Sequence, residues 1–134
     1  MNDASPLPPD RSILWRLLLA GYWLTLLVAT HLPKQVAGLP TNQADKLIHF
    51  AAYAVLAWLL AMAWQASVGR LNARHLKLVW LAVVFFGAID EVTQPLVGRT
   101  ASVADWLADA AGAVVGLLVF GLWQRRSDQR GETT

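Results

Sequence analysis

Four apolar runs separated by polar segments make up nearly half of this chain of 134 residues. They cover about residues 13–30, 47–64, 78–89 and 110–123. Backbone N–H and C=O groups in hydrocarbon must be paired within the chain, so runs of this kind predict helices. The hydrophobic fraction is 56% and the charged fraction is 15%, whereas soluble domains carry roughly 25% charged residues. The sequence therefore predicts an integral membrane protein.

The predicted fold is all-α, with four transmembrane helices in a compact bundle. We place the helices at about 12–30, 46–65, 76–94 and 103–123, in a membrane domain of residues 12–124. A flexible Pro-rich tail, residues 1–11, precedes it and a basic polar tail, residues 125–134, follows it. The first run predicts an uncleaved helix, because it is long for a signal peptide and no small-residue cleavage site follows it. Gly38, Pro40 and Thr41 predict a turn after that helix.

Basic residues predict the orientation of the bundle. Eight Lys and Arg residues fall on the two tails and the second loop, and only Lys34, Lys46 and Arg99 fall at the other side. The positive-inside rule then places both termini in the cytoplasm. Trp side chains near the run ends predict an interfacial belt, namely Trp15, Trp64, Trp80, Trp106 and Trp123.

Two classes of function have little or no support in the composition. The chain has no Cys, which excludes disulfides, thiolate metal sites and cysteine nucleophiles. The net charge is only +2, and a basic patch without a readout fold is weak evidence, so we predict no nucleic-acid partner.

Five of the nine acidic residues fall at the same end of the predicted helices: Asp45, Asp90, Glu91, Asp105 and Asp109. A spanning helix needs about 20 residues to cross roughly 30 Å of hydrocarbon. The apolar stretch of residues 78–89 supplies twelve residues, or about 18 Å at ~1.5 Å per residue. To span the hydrocarbon, this helix must also include its acidic end, which draws Asp90 and Glu91 below the membrane surface. The sequence therefore predicts recessed acids around a polar cavity that opens outward.

Helical spacing places polar residues on shared faces. Asp45, His49 and Tyr53 recur every four residues, as do the pairs Asp90 with Gln94 and Asp105 with Asp109. Gly112 and Gly116 continue the stripe of Asp105 and Asp109. Small residues at this spacing predict close approach of a neighbouring helix beneath the acids.

These motifs together resemble the VanZ-like family of small membrane proteins. Asp45-Lys46 followed by His49 and Tyr53 resembles the family's D-K-x-x-H-x-x-x-[YF] signature. The second half of the family's pattern is D-E-x-x-Q, a Gly-Arg turn, an Asp and a glycine-containing helix. This chain matches it with Asp90, Glu91 and Gln94, then with Gly98 and Arg99, then with Asp105, Gly112 and Gly116. The resemblance covers about residues 45–116 and departs at Asp109, where the family usually has Asn. It implies a bacterial envelope role, because the founding member is associated with low-level teicoplanin resistance.

The predicted binding residues are Asp45, Lys46, His49, Tyr53, Asp90, Glu91, Gln94, Arg99, Asp105 and Asp109. Arg99 is interpreted either as a structural counter-ion or as a bidentate ligand for a phosphate or carboxylate. Lys46 is interpreted either as a site residue or as an interfacial cation. Tyr53 and Gln94 are expected to complete hydrogen bonds, and residues 31–33 are expected only to end the first helix.

A metal site is not predicted, since no spacing here is a metal motif. Carboxylates with a His suit a hard divalent cation, so that cofactor stays open. Membrane lipids are the expected partners, and self-association is also left open.

Two functional hypotheses follow. One is a binding module that takes a lipid headgroup or amphiphile and alters envelope properties or glycopeptide susceptibility. The alternative is an intramembrane enzyme acting on a lipid headgroup or a lipid-linked sugar. Its acid–base candidates are Asp90, Glu91, Asp109 and His49. Ion transport is a weaker hypothesis, because the opposite halves of the last three helices are almost wholly apolar.

Overall fold

A computed structural model describes residues 10–32 and 42–131 of the chain. All regular structure in these residues is helical, as the sequence predicts. The helices are α1 (Arg11–His31), α2 (Asn42–Val68), α3 (Ala73–Thr93) and α4 (Val103–Gly131), and a 3-10 turn (Gln94–Val97) follows α3. The predictions for residues 1–9, for Lys34 and for the turn at Gly38, Pro40 and Thr41 lie outside the described residues.

Helix α4 continues well past the apolar run. Residues 125–131, which the sequence assigned to the polar tail, are helical. No Gly or Pro interrupts residues 122–130, and Arg and Gln are good helix formers. Helix α1 begins where Asp10 accepts a hydrogen bond from the backbone N–H of Ser12, and that bond lowers the pKa of the Asp10 carboxyl.

Three of the helices, α1, α2 and α4, are long and apolar enough to cross a membrane by length and composition. Helix α3 has 21 residues, but Arg74 and Lys77 lie near its start and Asp90 and Glu91 near its end. Its middle still exposes apolar side chains, and Phe85 is 69% exposed. Large exposed apolar side chains of this kind face lipid in a membrane protein and would be a liability in water.

Glycines bring α2 and α4 into backbone contact. A Cβ atom on Gly112 would lie 2.1 Å from the carbonyl oxygen of Phe50, and one on Gly116 would lie 2.1 Å from that of Ala54. The predicted close approach is therefore confirmed, and its partner is α2. Without bulk at these positions, the two helices gain the van der Waals contact that drives helix association in lipid.

Helix α3 docks on α4 through two indole groups. Trp80 donates its Nε1–H to the carbonyl oxygen of Ala110 at 3.2 Å, and Trp106 donates to that of Val84 at 3.1 Å. Both indoles, which the sequence assigned to an interfacial belt, thus bond between helices. Pairing an indole N–H with a carbonyl satisfies a donor that would otherwise be unpaired in an apolar setting.

Helix α1 lies against α2 at the edge of the bundle. The Tyr22 hydroxyl donates to the carbonyl oxygen of Ala52 at 2.9 Å. Near the start of α1, the Arg16 guanidinium donates to the Ser67 hydroxyl at 2.9 Å. At the same end, the buried Gln124 side chain bonds both the N–H and the carbonyl of Leu71, each at 3.1 Å. At this end of the bundle, the Gln124 amide thus pairs with both backbone groups of Leu71.

The close contact of α2 with α4 is tested by adding a single methyl group. We expect Gly116→Ala to destabilise the protein by about 1–3 kcal/mol, because the new Cβ overlaps a backbone oxygen that cannot move independently. The matched control is Gly121→Ala on the same helix, where no atom lies within 4 Å of the added Cβ. Thermal unfolding in detergent measures both, and equal midpoints for the two variants would contradict the packing.

Candidate functional site

The structure buries all five acids of the predicted cluster. Their relative exposures are between 0% and 8%. They come from the start of α2, the end of α3 and the start of α4, so these three helix ends share one end of the bundle. A buried carboxylate requires hydrogen-bond donors or cations, so each of these acids is expected to have a polar or charged group beside it.

Asp90 accepts hydrogen bonds from two other helices. The Thr30 hydroxyl of α1 donates to its Oδ1 atom at 2.8 Å, and the Tyr53 hydroxyl of α2 donates to its Oδ2 atom at 3.3 Å. The Gln94 amide lies 3.5 Å from Oδ2, and His31 Nδ1 lies 3.5 Å from Oδ1. Asp90 therefore joins α1, α2 and α3 at a single carboxylate.

His49 and Asp109 form a buried pair between α2 and α4. The Nδ1 atom of His49 lies 3.0 Å from Oδ1 of Asp109. The other carboxylate oxygen, Oδ2, is buried and has no hydrogen-bond partner among the described residues. A Cβ on Gly87 would lie 3.2 Å from this oxygen, so the glycine of α3 leaves room for the carboxylate. The pair has the geometry of an oriented acid–base group.

Glu91 fixes the beginning of α4. Its Oε1 atom accepts a hydrogen bond from the backbone N–H of Ser102, and its Oε2 atom lies 3.5 Å from the Gln94 amide. The Ser102 hydroxyl in turn accepts from the backbone N–H of Asp105 at 3.3 Å. An acidic side chain on the first N–H groups of a helix is stabilised by the helix dipole. Glu91 therefore has a positioning role, with Asp105 in the turn that it holds.

Arg99 enters the site from the turn after α3. Gly98 has a φ of 76°, a left-handed conformation that glycine adopts without strain. The guanidinium lies 3.6 Å from Asp45, and both side chains are at most 5% exposed. Its Nη1 atom also donates to the carbonyl oxygen of Ala29 at 3.4 Å. Its Nε–H is buried without a hydrogen-bond partner among the described residues.

A cavity of about 280 Å³ lies between α1 and α2 beside these groups. Its polar lining consists of Thr30, Asp45, His49 and Arg99. The rest of its wall is apolar and is formed by Leu26, Ala29, Leu32, Ile48 and Ala52. A concave space with apolar walls and a few convergent polar groups is the usual form of a small-molecule site.

Nine of the ten predicted binding residues are buried at this end of the bundle; the exception is Lys46, which is exposed and does not line the cavity. Tyr53 and Gln94 both make side-chain hydrogen bonds, as the sequence predicts. Three residues at this end were not predicted from the sequence: Thr30, Ser102 and His31. The Nε2 atom of His31 lies 3.0 Å from the Thr93 hydroxyl. Thr30 and His31 lie at the end of α1, on the side of the bundle that carries the acids. That position in the sequence could have identified them as site residues.

Within residues 10–32 and 42–131, no group of three or more His, Asp and Glu side chains is arranged to hold a metal ion. The carboxylates instead bond to hydroxyl, amide, imidazole and backbone groups.

Comparison with known families gives one match. The model of the VanZ/LLP1 family matches residues 11–124, which span α1 to most of α4 and contain every predicted site residue. No significant match was found among curated proteins or among solved structures.

The hydroxyl that links α1 to Asp90 is tested with a matched pair of substitutions. We expect Thr30→Val to destabilise the protein by about 1–3 kcal/mol, because it removes the 2.8 Å hydrogen bond to the Oδ1 atom of a buried carboxylate. The control is Thr25→Val on the same helix, where the hydroxyl bonds only the carbonyl oxygen of Gly21 within α1. Thermal unfolding in detergent measures the difference, and a loss no larger for Thr30→Val than for Thr25→Val would show that the link contributes nothing.

Proposed function

The chain belongs to the VanZ/LLP1 family, and we propose that its cavity binds the headgroup of a lipid or other amphiphile. It is a multi-pass membrane protein. The proposal places it in the cytoplasmic membrane of a bacterium, with four spans, both termini in the cytoplasm and the cavity facing outward. The observation that carries the binding function is the mixed lining of the cavity, with a buried Asp45–Arg99 pair beside apolar walls.

The charge distribution supports this orientation. The end of the bundle opposite the acids carries basic residues on three segments: Arg16 on α1, Arg70, Arg74 and Lys77 around the start of α3, and Arg125 and Arg126 on α4. Basic residues are retained on the cytoplasmic side of short loops. The lipid-facing apolar surface of α3 supports a fourth span, although its ends are charged.

The shape of the cavity supports an amphiphile as its ligand. Ile48 and Leu32 both line it and are also 44% and 39% exposed on the surface that would face lipid. A molecule can therefore place a polar group on Arg99 while its chain stays against the apolar wall. By holding a headgroup, the protein would change the envelope surface and so susceptibility to glycopeptides of the teicoplanin type, the role that the family resemblance implies.

The binding function is tested by filling the cavity. We expect Ala52→Trp to abolish labelling of Leu26, a buried residue of the cavity wall, by a phospholipid that carries a photoreactive diazirine, because the indole occupies the space beside His49. The control is Ala51→Trp, which adds the same group at an exposed position. Mass spectrometry of the cross-linked peptides gives the readout. Undiminished labelling of Leu26 in Ala52→Trp would rule out the cavity as the binding site.

A second candidate function is favoured by the buried His49–Asp109 pair. In an enzyme that acts on a lipid headgroup or lipid-linked sugar, the imidazole would transfer a proton and Asp109 would orient it. The pair is adjacent to the cavity, because His49 lines it.

The enzyme and the binding module are separated by conservative substitutions. For an enzyme, His49→Gln and Asp109→Asn would abolish release of product from radiolabelled membrane lipids, while photolabelling would persist. For a binding module, membranes that contain the unmodified protein release no more product than membranes that contain either variant. Product release that requires both His49 and Asp109 would therefore favour the enzyme over the binding module.

A further inference from the structure

We propose that the ligand headgroup is a zwitterion that carries a phosphate and a primary amine, with the phosphate on Arg99 and the amine on Asp45. This inference rests on the proposed binding function and specifies the ligand class of the same cavity. It depends on three features of the lining: an unsatisfied guanidinium edge, an adjacent carboxylate and a small volume.

Arg99 has hydrogen-bonding capacity that the described residues do not use. Its Nε–H has no partner among the described residues, although its side chain is only 2% exposed. Its Nη2 atom lies 3.6 Å from Asp45, which is too long for a hydrogen bond. Nε and Nη2 lie along one edge of the guanidinium, and such an edge binds a phosphate through two parallel N–H···O bonds. Occupation by a phosphate would satisfy a buried donor that is costly to leave unpaired.

Asp45 makes a purely anionic ligand unsuitable. Its carboxylate lines the same cavity as Arg99 and is likewise buried. A phosphate on the guanidinium would be placed close to this negative charge, and like charges in a desolvated site repel. An ammonium group on the same ligand converts that repulsion into attraction. Arg99 and Asp45 have opposite charges, so a ligand with one charge of each sign matches them.

The volume limits the ligand to a small headgroup. Ligand pockets generally measure about 300–1,000 Å³, and this cavity of about 280 Å³ lies just below that range. A phosphate with a two-carbon amine is compact, and its primary ammonium can donate three hydrogen bonds. A trimethylammonium group is larger and donates none. Acyl chains remain outside, along the apolar wall at Ile48 and Leu32.

The test compares headgroups on the purified full-length chain in detergent. The probes are short-chain phosphatidylethanolamine, phosphatidylcholine and phosphatidylglycerol, together with free O-phosphoethanolamine. Native mass spectrometry gives the affinity, and the rise in unfolding temperature on addition of lipid gives an independent readout. We expect phosphatidylethanolamine to bind at least about tenfold more tightly than the other two lipids, because only its headgroup can accept hydrogen bonds from Arg99 and also donate N–H hydrogen bonds to Asp45.

Variants connect the affinity to the two residues. Arg99→Lys keeps the charge but loses the bidentate edge, and we expect about tenfold weaker binding of phosphatidylethanolamine. Asp45→Asn should remove the preference for phosphatidylethanolamine over phosphatidylcholine. The matched control is Arg126→Lys, at an exposed position on the far end of α4, which should leave every affinity unchanged. Each lipid effect is measured against the same variant without lipid, so a general loss of stability does not imitate the result.

The outcomes separate this inference from the binding function. Phosphatidylcholine binding as tightly as phosphatidylethanolamine, with loss in Arg99→Lys, overturns the primary amine, and phosphatidylglycerol binding as tightly overturns the zwitterion. Either result keeps the cavity as an amphiphile site. Lipid binding that is insensitive to both Arg99→Lys and Ala52→Trp overturns the binding function as well. Free O-phosphoethanolamine binding as tightly as the lipid would support the headgroup chemistry and overturn the lipid as its source.

Discussion

The hydrogen bonds of Asp90 are the interaction on which the arrangement of this bundle depends. A carboxylate buried near the end of α3 cannot be left without donors, since an unpaired buried charge is among the most expensive defects in a protein. Thr30 supplies a donor from α1 and Tyr53 supplies one from α2. Both donors reach it only if the C-terminal end of α1 and the N-terminal part of α2 lie beside the end of α3. One acid thus sets the relative heights of three helices.

The approach of α4 to α2 extends this constraint to the rest of the site. Gly112 contacts the backbone at Phe50, one residue after His49, and lies three residues after Asp109. The small residue therefore brings the imidazole and the second buried carboxylate within 3.0 Å. On the other side of α2, the packing against α1 is looser and leaves the cavity beside Arg99. Tight packing on one face of α2 and a cavity on the other leave Arg99 beside an open space.

Much of this arrangement could be predicted from the sequence, because helical periodicity and the cost of charge in a membrane are local properties. Residue spacing alone predicts that the acids lie at one end of the bundle and that His49 and Tyr53 share a helix face. It also predicts that Gly112 allows a neighbouring helix to approach closely. The partners of the acids do not follow from spacing, because they depend on how far one helix is shifted against another. Thr30 and His31 were therefore missed, and Lys46 was included although its side chain is exposed and does not line the cavity. Both Trp80 and Trp106 would suit a membrane interface, and only the packing shows that their N–H groups bond to neighbouring helices.

We propose that the polar end of the bundle opens outward as a cavity that water and headgroups can enter. The chain has no Cys, so a single cysteine at Ala52 reports on this directly in intact cells. We predict that Ala52→Cys reacts with a charged, membrane-impermeant thiol reagent added outside, and that Val55→Cys, on the lipid-facing side of the same helix, does not. Reaction of Ala52→Cys only from the cytoplasmic side, or no faster than Val55→Cys, would contradict the account.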